Sequence, residues 1–93
     1  MKYYHGTSTA CGVKKIILPP TYTNNLREDF RKKYQDCVFL TISLRSAEGY
    51  AKKASARFGG NPIVYRAKPC RIIAMNGLEC ICDKAIVEEV VNL

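Results

Sequence analysis

The stretch from Ala47 to Pro62 constrains this chain more than any other. Ala47, Tyr50, Ala51, Ala54 and Phe58 recur at helical spacing and form one apolar stripe. Gly59-Gly60 stops that helix, and Asn61-Pro62 reinforces the break, because proline cannot continue a helix and biases the residue before it towards extended backbone. A helix with one apolar stripe and a fixed end must bury that stripe against something else in the chain. The residues after the break supply strands. Ile63 to Ala67 reads as a strand centred on Ile63-Val64-Tyr65. Pro69 interrupts it, and Cys70 to Ala74 resumes in extended form. Asn76-Gly77 marks a tight turn, and Leu78 to Asp83 and Ile86 to Val91 give two further short strands.

Upstream of the helix the pattern is more mixed. A short strand runs through Tyr3-Tyr4-His5 and is stopped by Gly6, and a short helix is expected over Ala10 to Ile16, ahead of Pro19-Pro20. From Asn25 the positions Leu26, Phe30 and Tyr34 have the spacing of an amphipathic helix, with Asn25 as N-cap and Glu28 at the capping-box position. Cys37-Val38-Phe39-Leu40-Thr41 reads as a buried strand. The order strand, helix, helix, strand, helix, then several strands predicts an α+β fold with mostly antiparallel pairing, not a doubly wound sheet. Residues 1–93 make one domain with one modest core and no room for a regulatory module.

Composition narrows the classes. A hydrophobic fraction of 47% with four prolines excludes a disordered chain. No apolar run approaches the roughly 18 residues that span a bilayer, and the N-terminus has no signal-peptide core. A soluble, cytoplasmic protein is expected. The cysteines Cys11, Cys37, Cys70, Cys80 and Cys82 are odd in number and include no CxxC pair, so reduced, mostly buried thiols are expected, with a metal or redox role as the alternative. Cys80 and Cys82 fall on one face of their strand. The net charge of +7 fits either plain solubility or a phosphate-rich or acidic partner. Arg45, Lys52, Lys53 and Arg57 cluster in or beside the second helix, where such a run is usually a solvated face.

Three features carry possible chemistry. In His5-Gly6-Thr7 the glycine allows close approach of a ligand to the backbone, and the chain's single histidine can bond a ribose hydroxyl; a turn glycine beside a surface histidine is the plainer reading. Phe39 on a strand and Tyr50 on the helix after it can sandwich a planar heterocycle, or both can be core residues. Glu79 comes after the Asn76-Gly77 turn and shares a strand face with Ile81 and Asp83; it either points into a cleft or is an exposed strand-end acid.

In order and spacing these segments resemble the ADP-ribosyltransferase superfamily over nearly the whole chain. Tyr4-His5-Gly6-Thr7-Ser8 is similar to the histidine motif of its first strand. Gly12-Val13 through Ile17-Leu18-Pro19-Pro20 resembles the segment after that strand in poly(ADP-ribose) polymerases. Cys37 to Thr41, Ser46-Ala47 and Tyr50 resemble the aromatic strand and the helix bearing the second stacking tyrosine, and Leu78 to Asp83 is similar to the motif in which a glutamate starts a strand. The resemblance is to the His-Tyr-Glu branch, poly(ADP-ribose) polymerase-like or diphtheria-toxin-like.

That resemblance implies a compact split sheet with flanking helices, NAD as substrate and no metal. By analogy His5 binds the adenine-side ribose and the Gly6 backbone, with Thr7 beside it, grips the nicotinamide amide. Phe39 and Tyr50 stack on the nicotinamide ring, and Thr41 or Ser46 donates a hydrogen bond to its amide. Glu79, with His5, forms the catalytic pair, Glu79 holding the 2′-hydroxyl and favouring the oxocarbenium-like transition state. The implied activity is transfer of ADP-ribose to a macromolecular acceptor, protein ahead of nucleic acid, with nicotinamide released. A phage or bacterial effector acting in host cytoplasm fits so small a domain. The chain departs from the family in carrying Phe39 where tyrosine is usual and in placing Ser46-Ala47 one residue early. Gly77 stands where the arginine-type subclass has an acid. The alternatives are NAD hydrolysis, an RNA 2′-phosphotransferase-like reaction, and a non-catalytic nucleotide- or protein-binding module of the same fold.

Overall fold

Ser43 starts the one α-helix among the described residues by a local bond. Its hydroxyl accepts the N–H of Ser46 at 3.2 Å, satisfying one of the donors that a helix start leaves unpaired. Helix α1 covers Leu44–Phe58 and ends at Gly59, whose φ of +82° suits glycine and whose N–H donates to Ser55 O at 2.9 Å. The computed structural model describes residues 1–13, 15–18 and 37–91. The amphipathic helix expected from Asn25 lies outside them, as do Pro19 and Pro20.

Among the described residues seven strands form one sheet: β1 (Tyr3–Ser8), β2 (Ile16–Ile17), β3 (Val38–Thr41), β4 (Pro62–Pro69), β5 (Ile72–Asn76), β6 (Glu79–Cys82) and β7 (Ala85–Val91). Their order across the sheet is β2-β7-β4-β1-β3-β6-β5, and every pairing is antiparallel. The expected α+β class with antiparallel pairing is what the chain adopts. A mostly local, hairpin-rich second half explains it, since antiparallel neighbours need only short connections. The β5–β6 hairpin closes through Gly77-Leu78, with Gly77 at φ +60°, so the turn sits one residue later than Asn76-Gly77.

Two N-terminal expectations fail. The first strand does not stop at Gly6 but continues to Ser8, because each residue from Tyr3 to Ser8 pairs with β4, from Ala67 to Pro62. Ala10 to Ile16 is not a helix. A 3-10 turn at Thr9–Cys11 ends in left-handed Gly12 (φ +71°), and Ile16 already pairs with Ile86 in the sheet. Sheet pairing outweighed a weak local preference in both places.

The sheet buries both faces. On one, Ala47, Ala51 and Val64 pack with Tyr4, Leu44 and Val91, so α1 lies on β1 and β4. On the other, Ile17, Val38, Leu40, Ala67, Cys80, Cys82 and Ala85 form a second cluster with Tyr3, Val13 and Val87. Cys37, Cys80 and Cys82 are buried cysteines in no disulfide, as expected, whereas Cys11 is half-buried and Cys70 exposed. Burial, with neighbouring Cys80 and Asp83 adding to it, pushes the Cys82 thiol up to about 12. No described helix is long and apolar enough to cross a membrane.

Candidate functional site

The sheet is joined unevenly in its middle. β1 pairs with β4 along the whole of β1, and β3 and β6 pair from Val38↔Cys82 to Thr41↔Glu79, but β1 meets β3 at the single register pair Tyr4↔Thr41. The sheet is therefore two halves hinged at Tyr4 and Thr41. Beyond the hinge the backbone edges of β1 and β3 are not laddered together among the described residues, which is where a ligand can meet backbone groups.

The sequence-predicted residues gather around this hinge. His5, Gly6 and Thr7 come directly after it on β1. Phe39 and Thr41 lie on β3, Glu79 begins β6 opposite Thr41, and Ser46 and Tyr50 come from α1. His5 Nδ1 reaches 3.2 Å from the Phe39 carbonyl and so ties the two halves. A carbonyl only accepts, so Nδ1 carries the proton in this contact. Tyr50 Oη donates to Glu79 Oε1 at 2.9 Å, joining helix to strand across 29 residues of sequence. Glu79 and Tyr4 are the cross-strand neighbours of Thr41 on its two sides. The His5 and Glu79 backbones are thus about two strand spacings, about 10 Å, apart.

The remaining predicted residues are built into the frame. Thr41 is buried, and its Oγ1 accepts the N–H of Ser43 at 3.1 Å, setting the angle at which the chain leaves β3 for α1. Ser46 is half-buried in the first turn of α1. Thr7 is buried in the β1–β4 ladder opposite Ile63. Gly6 has a packing reason of its own. A Cβ there would lie 1.8 Å from Ala47 O and 2.9 Å from Ala51 N, so only glycine lets α1 rest on β1. The helix closes that face of Gly6, and any ligand group meeting its backbone must come through the gap towards β3.

Two contributors escaped the sequence reading. Ser43 is one; serine just ahead of a helical stripe is a legible N-cap signal. Lys53 is the other. Its Nζ lies 6.0 Å from the Tyr50 ring centroid, a contact visible in sequence only as an i, i+3 pair. Among the described residues no group of three or more His, Cys, Asp or Glu side chains is placed to hold a metal ion. No protein-family model, curated protein or solved structure matches the chain.

Proposed function

We propose that this chain is an NAD-dependent ADP-ribosyltransferase whose reaction centre is the hinge between the two half-sheets. The observation that carries the reading is the Tyr50–Glu79 hydrogen bond, formed one strand away from the His5–Phe39 contact. His5, Phe39, Tyr50 and Glu79 come from four separate elements that border the hinge, and the resemblance supplies a role for each. The nicotinamide ring stacks between Phe39 and Tyr50, which orients its glycosidic bond towards Glu79. With Nδ1 protonated, His5 Nε2 accepts a hydrogen bond from a hydroxyl of the adenine-side ribose. Glu79 keeps one oxygen on the Tyr50 hydroxyl and turns the other to the 2′-hydroxyl of the reacting ribose. The C1′–N bond breaks with its electron pair leaving on nicotinamide. The carboxylate stabilises the positive charge that develops on the sugar, an interaction stronger in the transition state than in bound NAD. An acceptor nucleophile then bonds to C1′ and gives up its proton to water or to Glu79.

Incubation with labelled NAD tests this directly. Nicotinamide release and label on a macromolecule are expected, and both are lost in Glu79→Gln while the fold remains. Absence of nicotinamide release from the unaltered protein would sink the reading.

A second reading is a non-catalytic module that binds a nucleotide in the same hinge. It is favoured by Phe39, which stacks but has no hydroxyl, and by the packing role of Gly6. Calorimetry separates the two: binding of NAD and ADP-ribose without nicotinamide release identifies the module.

A further inference from the structure

The stripe of α1 that carries Ser46 and Tyr50 continues along the helix into cations. Ser46, Tyr50, Lys53 and Arg57 are spaced i, i+4, i+7 and i+11, so they line one flank, the side from which Tyr50 reaches Glu79. Lys53 stands beside the Tyr50 ring and the Arg57 guanidinium lies 5.2 Å from the Phe58 ring centroid. Arg45 and Lys52, seven apart, add an adjoining exposed row. Arg45, Lys52 and Lys53 form no ion pair with the described residues, where the ion pairs run from Arg66 to Glu88 and Glu89. The other described acids are spent elsewhere. Asp83 accepts the backbone N–H groups of Arg71 and Lys84, Glu79 holds Tyr50, and Glu48 alone opposes the cations on α1. Among the described residues, α1, which borders the hinge, thus carries a cluster of cations with little opposing charge, interleaved with aromatic rings.

We infer that this face of α1 binds the phosphate backbone of single-stranded nucleic acid, which makes nucleic acid the macromolecule brought to the Tyr50–Glu79 pair. The second clause rests on the proposed transferase reading; the first does not. Cations in a row beside aromatic rings suit a strand whose phosphates pair with lysine and arginine while an unstacked base meets the Phe58 ring, leaving Tyr50 to the nicotinamide. A duplex suits the site less, because its bases are shut in the stack and the reacting atom must reach the hinge. This orders the acceptor classes differently from the expectation set by the resemblance, which put protein first.

Fluorescence anisotropy tests the surface without requiring turnover. The probe is a labelled single-stranded RNA of about 20 nucleotides, compared with the same strand in a duplex and with heparin as competitor. Three phosphate contacts give a log–log salt slope of about −2, a loss of about 20-fold in affinity between about 50 and 200 mM salt. The triple variant Arg45→Gln, Lys52→Gln, Lys53→Gln is expected to weaken binding at least about tenfold and to flatten that slope. The control Lys68→Gln, Lys84→Gln removes exposed cations off α1 and is expected to bind as the unaltered protein does. The inference is overturned if the single strand does not bind, if the control weakens binding as much as the triple variant, or if duplex or heparin binds as well as the single strand. Nucleic-acid binding without nicotinamide release refutes the transferase reading and leaves this surface standing. Label transferred from NAD to the RNA supports both.

Discussion

Replacing Gly6 with alanine inserts a methyl carbon between β1 and α1. It would sit 1.8 Å from Ala47 O, 2.8 Å from Ala47 C and 2.9 Å from Ala51 N. Ordinary contact with a carbonyl oxygen needs more than about 3 Å, so α1 must retreat by more than about 1 Å from the strand it covers. Every atom in the way is main chain, so no rotamer change relieves the clash. Overpacking a core costs about 1–3 kcal/mol, and here the top of that range or more is expected. With about 5–14 kcal/mol holding a domain of this length, that is a large share. With a urea m-value of about 1.5 kcal/mol/M, a loss of about 3 kcal/mol lowers the denaturation midpoint by about 2 M. Gly49→Ala is the matched control. Nothing lies within 4 Å of a Cβ there, and the position is inside α1, so the same substitution is expected to stabilise by about 0.5–1 kcal/mol. A Gly6→Ala protein within about 0.5 kcal/mol of the parent would refute the packing argument. The ligand-gripping role would then be the remaining reason for glycine at that position.

The other predictions concern the site and the thiols. Tyr50→Phe keeps the ring and removes the bond to Glu79; NAD binding should survive with kcat lowered about tenfold or more, whereas Tyr50→Ala should weaken binding too, a KM-against-kcat split read by steady-state kinetics. Ser43→Ala removes the acceptor for Ser46 N–H and should cost about 1 kcal/mol in urea denaturation, with Ser43→Asp restoring most of it. Cys82 should make the fold sensitive to alkali. Its thiol keeps its proton to about 12 when folded against an ordinary 9.0 when unfolded, so between those values the unfolded chain binds fewer protons and stability falls as pH rises. Melting temperatures followed from about pH 8 to about 12 should decline, and less steeply in Cys82→Ala; equal slopes would exclude Cys82 as the cause.

Helix α1 and its C-terminal end were legible in sequence because their causes are local, while its start at Ser43 went unread. Ala47, Ala51 and Ala54 repeat at helical spacing, and Gly59 frees the backbone at the stop. The strands from Val38 onward were legible for the same reason, since runs of β-branched and apolar residues between turn signals need no distant partner to be read. The N-terminus was not legible. Gly6 and the residues up to Ile16 have weak local preferences, and pairing with β4 and β7, more than fifty residues away, fixed their form. The site divides along the same line. Sequence named His5, Phe39, Tyr50 and Glu79 one at a time, each with a plainer explanation. Only tertiary structure decided that Tyr50 bonds Glu79, that His5 meets the Phe39 carbonyl, and that Gly6 is required first by the helix lying on it. Those contacts join residues 29, 34 and 41 positions apart, and no pattern along a chain specifies such a meeting without the sheet that brings it about.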